Sequence, residues 1–228
     1  DARHRDRFLS EGRIMAGLQH RNIATVTDVI SDRLAGLVME YVEGPTLEQW
    51  IARRGAVDIE TCMDLMMPVV GAVAYAHEKG VVHRDLKPAN IVISKDGQGI
   101  RPVVLDFGVA MVVGEEGLRR FKTRTGTGIG TPGYMSPEQI RDAARADQRS
   151  DIYALGVILF ELSSGTQPFL AETDWEVQSA VVEGRAASLP PDTDPGLAAA
   201  IQRAMALNPD HRFSTCKELR AALIAADG

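Results

Sequence analysis

Residues 151–163, DIYALGVILFELS, are apolar on nearly every side when wound as a helix. A helix with no polar face cannot lie on a surface; it has to run through the middle of a helical body, with other helices around it. At 228 residues the chain is long enough to bury such a core. The rest of the chain supplies the surrounding helices. Helical spacing recurs near 173–183, 196–207 and 214–225. Ile59, Cys62, Met63, Met66, Val70, Val73 and Ala74 predict a longer helix over 59–79, capped by Asp58 and ended at Gly80. Pro68 falls inside it, which predicts a kink or a weakened first half. In EGPTLEQWIARRG (43–55), Thr46 is the expected N-cap of a further helix and Gly55 its stop.

The first 42 residues read differently. DRFLSEGRIMAGLQ (6–19) sets Phe8, Leu9, Ile14, Met15 and Leu18 near one helical face. NIATVTDVI (22–30) and LAGLVMEYV (34–42) are rich in strand formers and predict an antiparallel hairpin. Short strands are also expected in GVVH (80–83), NIVIS (90–94) and RPVVLDFG (101–108). Residues 111–135 are rich in Gly, Thr and Arg and lack any period, so they read as a long functional loop. The fold class is therefore α+β. A lone hairpin is marginal in water, so further strands are expected upstream of residue 1. The chain starts with Asp, and reads as the inside of a longer protein.

A net charge of −6 gives no support for nucleic acid as the main partner. Cys62 and Cys216 lie far apart and read as free thiols of a reducing compartment. The longest apolar runs, such as ALGVILF (154–160), are too short to span a bilayer, and no signal peptide is read. No membrane segment is expected within the chain. The expected location is the cytoplasm, alone or as the cytoplasmic part of a membrane-anchored protein.

The chemistry concentrates in GVVHRDLKPANIVIS (80–94) and VVLDFGVA (103–110). Lys87 follows Asp85 by two residues and Asn90 by five, and Asp106-Phe107-Gly108 comes next. His83-Arg84-Asp85 alone is a weak signal, and the same tripeptide recurs at His4-Arg5-Asp6. There Phe8 and Glu11 stand where the lysine and asparagine would be, so that copy reads as the polar lead-in to the first helix. With all the partners present, the second copy resembles the catalytic loop of protein kinases, most closely the eukaryotic-like Ser/Thr kinases of bacteria.

The resemblance implies a protein-kinase-like fold. Residues 1–42 would be an N-lobe remnant (helix C, two antiparallel strands and the hinge), and 43–228 a mainly helical C-lobe. Asp85 would accept the proton of a substrate hydroxyl, Lys87 would reach the γ-phosphate of ATP, and Asn90 and Asp106 would ligate Mg2+. Met39 falls at the gatekeeper position. Glu40, Tyr41 and Val42 fall on the hinge, and Val92 falls in the nucleotide site. His83, Phe107, Met15 and Val26 match the family's apolar stack between lobes. GTPGYMSPE (130–138) resembles the end of an activation segment, with Ser136 in place of the usual alanine. It implies that Glu138 pairs with Arg212, that Asp151 holds the catalytic-loop backbone, and that Thr131 contacts Asp85 and Lys87. Ala89 stands where kinases of basic substrates often carry an acid, so no substrate sequence preference is expected.

The family's upper nucleotide half is absent from residues 1–228: there is no G-x-G-x-x-G before the first helix and no V-A-I-K-like strand. Glu11 matches the helix C glutamate that pairs with that lysine. Two readings follow. One is a Ser/Thr protein kinase acting on protein hydroxyls, with a second copy as partner for trans-autophosphorylation. The other is a pseudokinase acting as a scaffold. Asp85, Lys87, Asn90 and Asp106 favour the enzyme. This chain alone is expected to be nearly inactive, since losing one preorganised charge stabiliser typically slows a reaction about 10²- to 10³-fold. Thr123, Thr125 and Thr127 are candidate phosphorylation sites whose phosphate could pair with Arg84. Mass spectrometry of an active protein after incubation with ATP and Mg2+ should find phosphate on at least one of them; unmodified threonines would sink this regulation.

Overall fold

The computed structural model describes residues 12, 14–30, 36–97, 99–107 and 132–226. The apolar segment read from the sequence is the centre of the molecule. Helix α4 spans Gln148–Ser164, and every residue from Ser150 to Leu162 is buried. Gly165 ends it in the left-handed conformation (φ 73°). The preceding helices are α1 (Leu47–Arg54), α2 (Ile59–Glu78) and the short α3 (Pro137–Arg141). After α4 come α5 (Asp174–Glu183), α6 (Pro195–Ala204) and α7 (Cys216–Ala226). Helices α2 and α6 pack on α4, and α7 packs on α2 and α6.

The caps are those expected. Thr46 and Gln49 form a reciprocal capping box on α1, and Asp58 accepts from the Thr61 amide at 2.7 Å on α2. Helix α2 is one continuous helix with Pro68 inside it. Pro68 is only partly buried, while nine residues of the helix, from Cys62 to Ala76, pack into the core. By length and composition α2 is apolar enough to cross a membrane, but here it is a core helix.

Two small antiparallel sheets complete the fold. Strands β1 (Val26–Ile30) and β2 (Gly36–Met39) form the predicted hairpin, with a register shift between Val26 and Asp28. Strands β3 (Ile91–Asp96) and β4 (Gly99–Val104) form the second. β1 is shorter than the expected 22–30 because residues 22–24 bond elsewhere. Val104 N–H donates to Asn22 O, and Ala24 N–H to Val104 O, both at 2.9 Å. The Asn22 side chain donates to Pro102 O at 2.7 Å. The hairpin is thereby tied to β4. Of the expected first helix, Gly12 and residues 14–16 are helical, with Met15 and Leu18 buried and Ile14 exposed; Phe8 and Leu9 lie outside the described residues. GVVH is not a strand. Its backbone donors go to a helix end and to a side chain: Val81 N–H to Ala76 O, and His83 N–H to Asp151.

The link between β2 and α1 runs close against β3. Pro45 O accepts from Ile93 N–H at 2.8 Å, and Gly44 has φ 150°. A Cβ at Gly44 would stand 2.3 Å from the Ile93 carbonyl oxygen, which is fixed backbone. Gly44→Ala should therefore destabilise the chain by about 1–3 kcal/mol, combining backbone strain with a forced shift of β3. A urea unfolding curve measures this, and an unchanged midpoint would contradict the packing.

Candidate active site

The loop between α2 and β3 is held by one buried carboxylate. Asp151, in the first turn of α4, is 1% exposed. Its Oδ2 accepts from His83 N–H and its Oδ1 from Arg84 N–H, both at 2.8 Å. His77 Nε2 lies 2.8 Å from Oδ2. Burial would raise the Asp151 pKa, but the hydrogen bond and electrostatic attraction of His77, followed by the attraction of His83 and its backbone amide, outweigh it and hold the carboxyl below its ordinary value. The carboxylate stays ionised, and so remains a pure acceptor for all three donors.

This clamp enforces an unfavourable backbone. Arg84 has φ 67°, a left-handed conformation that typically costs a non-glycine residue about 1–3 kcal/mol unless its surroundings impose it. Here both sides of the residue are tied. Its N–H goes to Asp151, and its C=O accepts from Gln139 Nε2 at 2.8 Å. Gln139 Oε1 in turn accepts from Ser136 N–H and Oγ at 3.1 and 3.0 Å.

His83 is fully buried, 4.8 Å from Phe107 between ring centroids. Its Nε2 faces Leu105 O at 2.9 Å. A carbonyl only accepts, so Nε2 carries the proton and Nδ1 is free to accept from Asp85 N–H at 3.3 Å. The Asp85 carboxylate is partly exposed, with Lys87 Nζ 3.0 Å from its Oδ2. Asn90 Nδ2 donates to Asp85 O at 2.8 Å. That orientation leaves the Asn90 amide oxygen as the atom that could ligate a cation. Leu105 N–H donates to Asn90 O at 2.8 Å, which fixes the segment leading to Asp106 beside the loop. Asp106 is exposed, with φ 56°; aspartate tolerates this region better than most residues.

Among the described residues no cluster of three or more His, Cys, Asp or Glu is placed to hold a metal. Asn90 and Asp106 instead offer two hard oxygens. That donor set fits Mg2+, which takes one or two protein oxygens and fills its octahedron with phosphate and water. On the hairpin side, Met39 and Val42 are half-buried, Glu40 is exposed, and Tyr41 is 91% exposed. The Glu40 amide donates to Thr25 O at 2.9 Å, and its side chain accepts from Thr25 N–H at 3.0 Å. Val92 is buried and bridges to Thr46. Met15 and Val26 are buried in the same core as His83's neighbour Phe107. Glu11, Gly108, Thr123, Thr125, Thr127 and Thr131 lie outside the described residues.

Glu138 and Arg212, 74 residues apart, form a two-pronged ion pair at 2.7 and 2.8 Å. The Arg212 side chain has no exposure. It also donates to the carbonyls of Ala206, Arg149 and Leu207, and its guanidinium lies 4.9 Å from the Tyr153 ring. Ser150 Oγ donates to Glu138 Oε1 at 2.8 Å.

Sequence reasoning missed His77, Ser150 and Gln139. Gln139 carried a signal, since Ser136-x-x-Gln139 has capping-box spacing ahead of a helix. His77 sits in the last turn of α2 with nothing in the sequence to mark its distant partner.

The comparisons with known proteins point to one family. Residues 1–224 match the protein kinase domain family, and the chain belongs to it. Its relatives include the serine/threonine-protein kinase PknB of Mycolicibacterium smegmatis, 36% identical over 228 residues, covering 96% of this chain and 35% of that protein. PknL of Mycobacterium tuberculosis is 37% identical over 231 residues, covering 96% and 54%. PrkC of Bacillus subtilis is 35% identical over 224 residues, covering 96% and 33%. The crystal structure of the Mycobacterium tuberculosis PknI kinase domain matches 100% of this chain and 81% of that one, with a TM-score of 0.74 and 28% identity. The fold is thus protein-kinase-like, α+β, of the eukaryotic-like bacterial type. The chain spans about a third to a half of the length of these curated relatives.

The Glu138–Arg212 pair carries a prediction about acid stability. Burial would raise the Glu138 pKa, but Arg212 outweighs it and brings the carboxyl from 4.5 down to about 2. A carboxyl depressed on folding stabilises the fold above its unfolded value of 4.5 and loses that contribution as pH falls toward about 2. Glu138→Gln should flatten this acid limb in urea midpoints measured at successive pH values. Glu138→Ala should cost about 3–5 kcal/mol at neutral pH, because it leaves a buried guanidinium without its counter-charge.

Proposed function

We propose that the protein is a Ser/Thr protein kinase that transfers the γ-phosphate of ATP to hydroxyls of protein substrates. The observation that carries this reading is the clamped loop. Asp151 fixes the amides of His83 and Arg84, and Asn90 fixes the carbonyl of Asp85, so the Asp85 carboxylate is held at a partly exposed position. In the proposal Asp85 orients the substrate hydroxyl and accepts its proton. Lys87, within 3.0 Å of Asp85, brings a cation to the place where charge builds up on the transferred group. Asn90 and Asp106 are the residues that would hold Mg2+, which when bound supplies charge neutralisation on the phosphates.

The same reading divides the chain at residue 42: Met39, Glu40 and Val42 would line the adenine site from the hairpin side, and Val92 from the helical side. Glu11 would hold the phosphate-binding lysine of the upper half. Arg84 would receive a phosphate on Thr123, Thr125 or Thr127, placed there by a second copy of the protein, and Thr131 would shape the substrate groove. The expected location is the cytoplasm. Asp85, Lys87, Asn90 and Asp106 are all present, so nothing favours a scaffold that has lost its chemistry.

The test is phosphoryl transfer in a polypeptide that supplies a Gly-rich loop and a strand lysine upstream of residue 1. Asp85→Ala should lower the rate at least about 10²- to 10⁴-fold, the usual contribution of a positioned base. Transfer within a factor of about two of the unmutated protein would falsify the assignment.

A further inference from the structure

Asp151 is reached by a second line of polar contacts, from α7. Cys216, the first residue of that helix, places its Sγ 3.6 Å from His77 Nδ1. The other ring nitrogen, Nε2, is the one 2.8 Å from Asp151 Oδ2. All three groups are buried: the His77 side chain is 5% exposed, and Cys216 and Asp151 are each 1% exposed. In an open cleft, such a thiol, imidazole and carboxylate would suggest a nucleophile, its base and an orienting acid. That reading fails here. Burial, reinforced by the charge of Asp151, pushes the Cys216 thiol far up, and a protonated thiol is not a nucleophile.

A thiol that stays protonated is a hydrogen-bond donor, and this gives the three groups a direction. An ionised carboxylate can only accept, so His77 Nε2 must carry a proton. In a neutral ring Nδ1 is then bare, and it faces the Cys216 S–H. The chain runs from Cys216 S–H to His77 Nδ1, and from His77 Nε2–H to Asp151 Oδ2. Asp151 then accepts from the amides of His83 and Arg84. The opposite tautomer would set a bare nitrogen against the carboxylate.

We propose that Cys216 and His77 are positioning residues for the loop that carries Asp85. The thiol selects the Nε2–H tautomer of His77, and the ring holds Asp151 in the one orientation that accepts both loop amides. Removing the thiol leaves Nδ1 a buried acceptor without a donor and frees the ring to change tautomer. A second tie between the same two helices, Lys217 to Glu78 at 2.5 Å, lies beside this chain on the surface. The start of α7, some 130 residues from the loop in sequence, is thereby coupled to its geometry. Calling that loop catalytic rests on the kinase reading; the chain of hydrogen bonds does not.

The test uses the 228-residue chain. Two-bond proton–nitrogen correlations of a 15N-labelled sample report the tautomer of His77, and native-state exchange reports the amides of His83 and Arg84. The unmutated chain should show the neutral Nε2–H ring. Cys216→Ala should lose the fixed tautomer and speed exchange at those two amides about tenfold, the effect of one lost hydrogen bond. Amides in the middle of α4, such as Ile158, should be unaffected. Cys216→Ser, which keeps a donor, should retain both signals. The proposal is overturned by an imidazolium or an Nδ1–H ring in the unmutated chain. It is equally overturned if Cys216→Ala leaves tautomer and exchange unchanged, or if α4 amides accelerate as much as the loop's. Should Cys216→Ala not fold, the tautomer of the unmutated chain and the exchange rates of Cys216→Ser decide. If the chain of bonds stands but Asp85→Ala leaves transfer intact, the kinase reading fails and the coupling does not.

Discussion

The structure turns on the Asp151 carboxylate. It sits without exposure at the positive end of a helix that has no polar face, and it has three donors around it. A buried charge is tolerable only when it is fully hydrogen-bonded. That requirement works in both directions. Asp151 needs the amides of His83 and Arg84, and those amides cannot join a strand because Asp151 holds them. The left-handed backbone at Arg84, the burial of His83 against Phe107 and the outward placement of Asp85 all follow.

The second buried charge, Arg212, does a related task further along the chain. It joins α3 to the segment before α7 through Glu138, and closes the carbonyls of Arg149, Ala206 and Leu207 at the edge of the central helix. Gln139, one residue after Glu138, carries the tie onward to the carbonyl of Arg84. The loop bearing Asp85 is thus held from α4 by its amides and from α3 by a carbonyl. It is built from short-range polar contacts anchored on an apolar scaffold, so small shifts in the scaffold bear directly on the site.

Much of this was legible in the residues. The apolar run at 151–163 announced a central helix, and Thr46, Asp58 and Gly55 marked helix ends, because caps and burial depend on residues near in sequence. The spacing of Asp85, Lys87, Asn90 and Asp106 marked the site through a likeness to protein kinases, which the comparisons support for the family as a whole. The misreadings share a cause. Residues 22–24 and GVVH have strand composition, yet their backbone groups are taken up elsewhere: Asn22 and Ala24 by Val104, Val81 by Ala76 at the end of α2, and His83 by Asp151.

The sequence by itself determined which segments are helical, which residues face the core, and which side chains have the chemistry for phosphoryl transfer. These follow from periodicity, capping and residue type, all local properties. Only the tertiary structure decided how the loop is held. His77 meets Asp151 and Cys216, Gln139 meets Arg84, and Glu138 meets Arg212 because helices far apart in the chain share one buried interior. In that interior every polar group must find a partner, and the partner it finds is a matter of packing rather than of spacing.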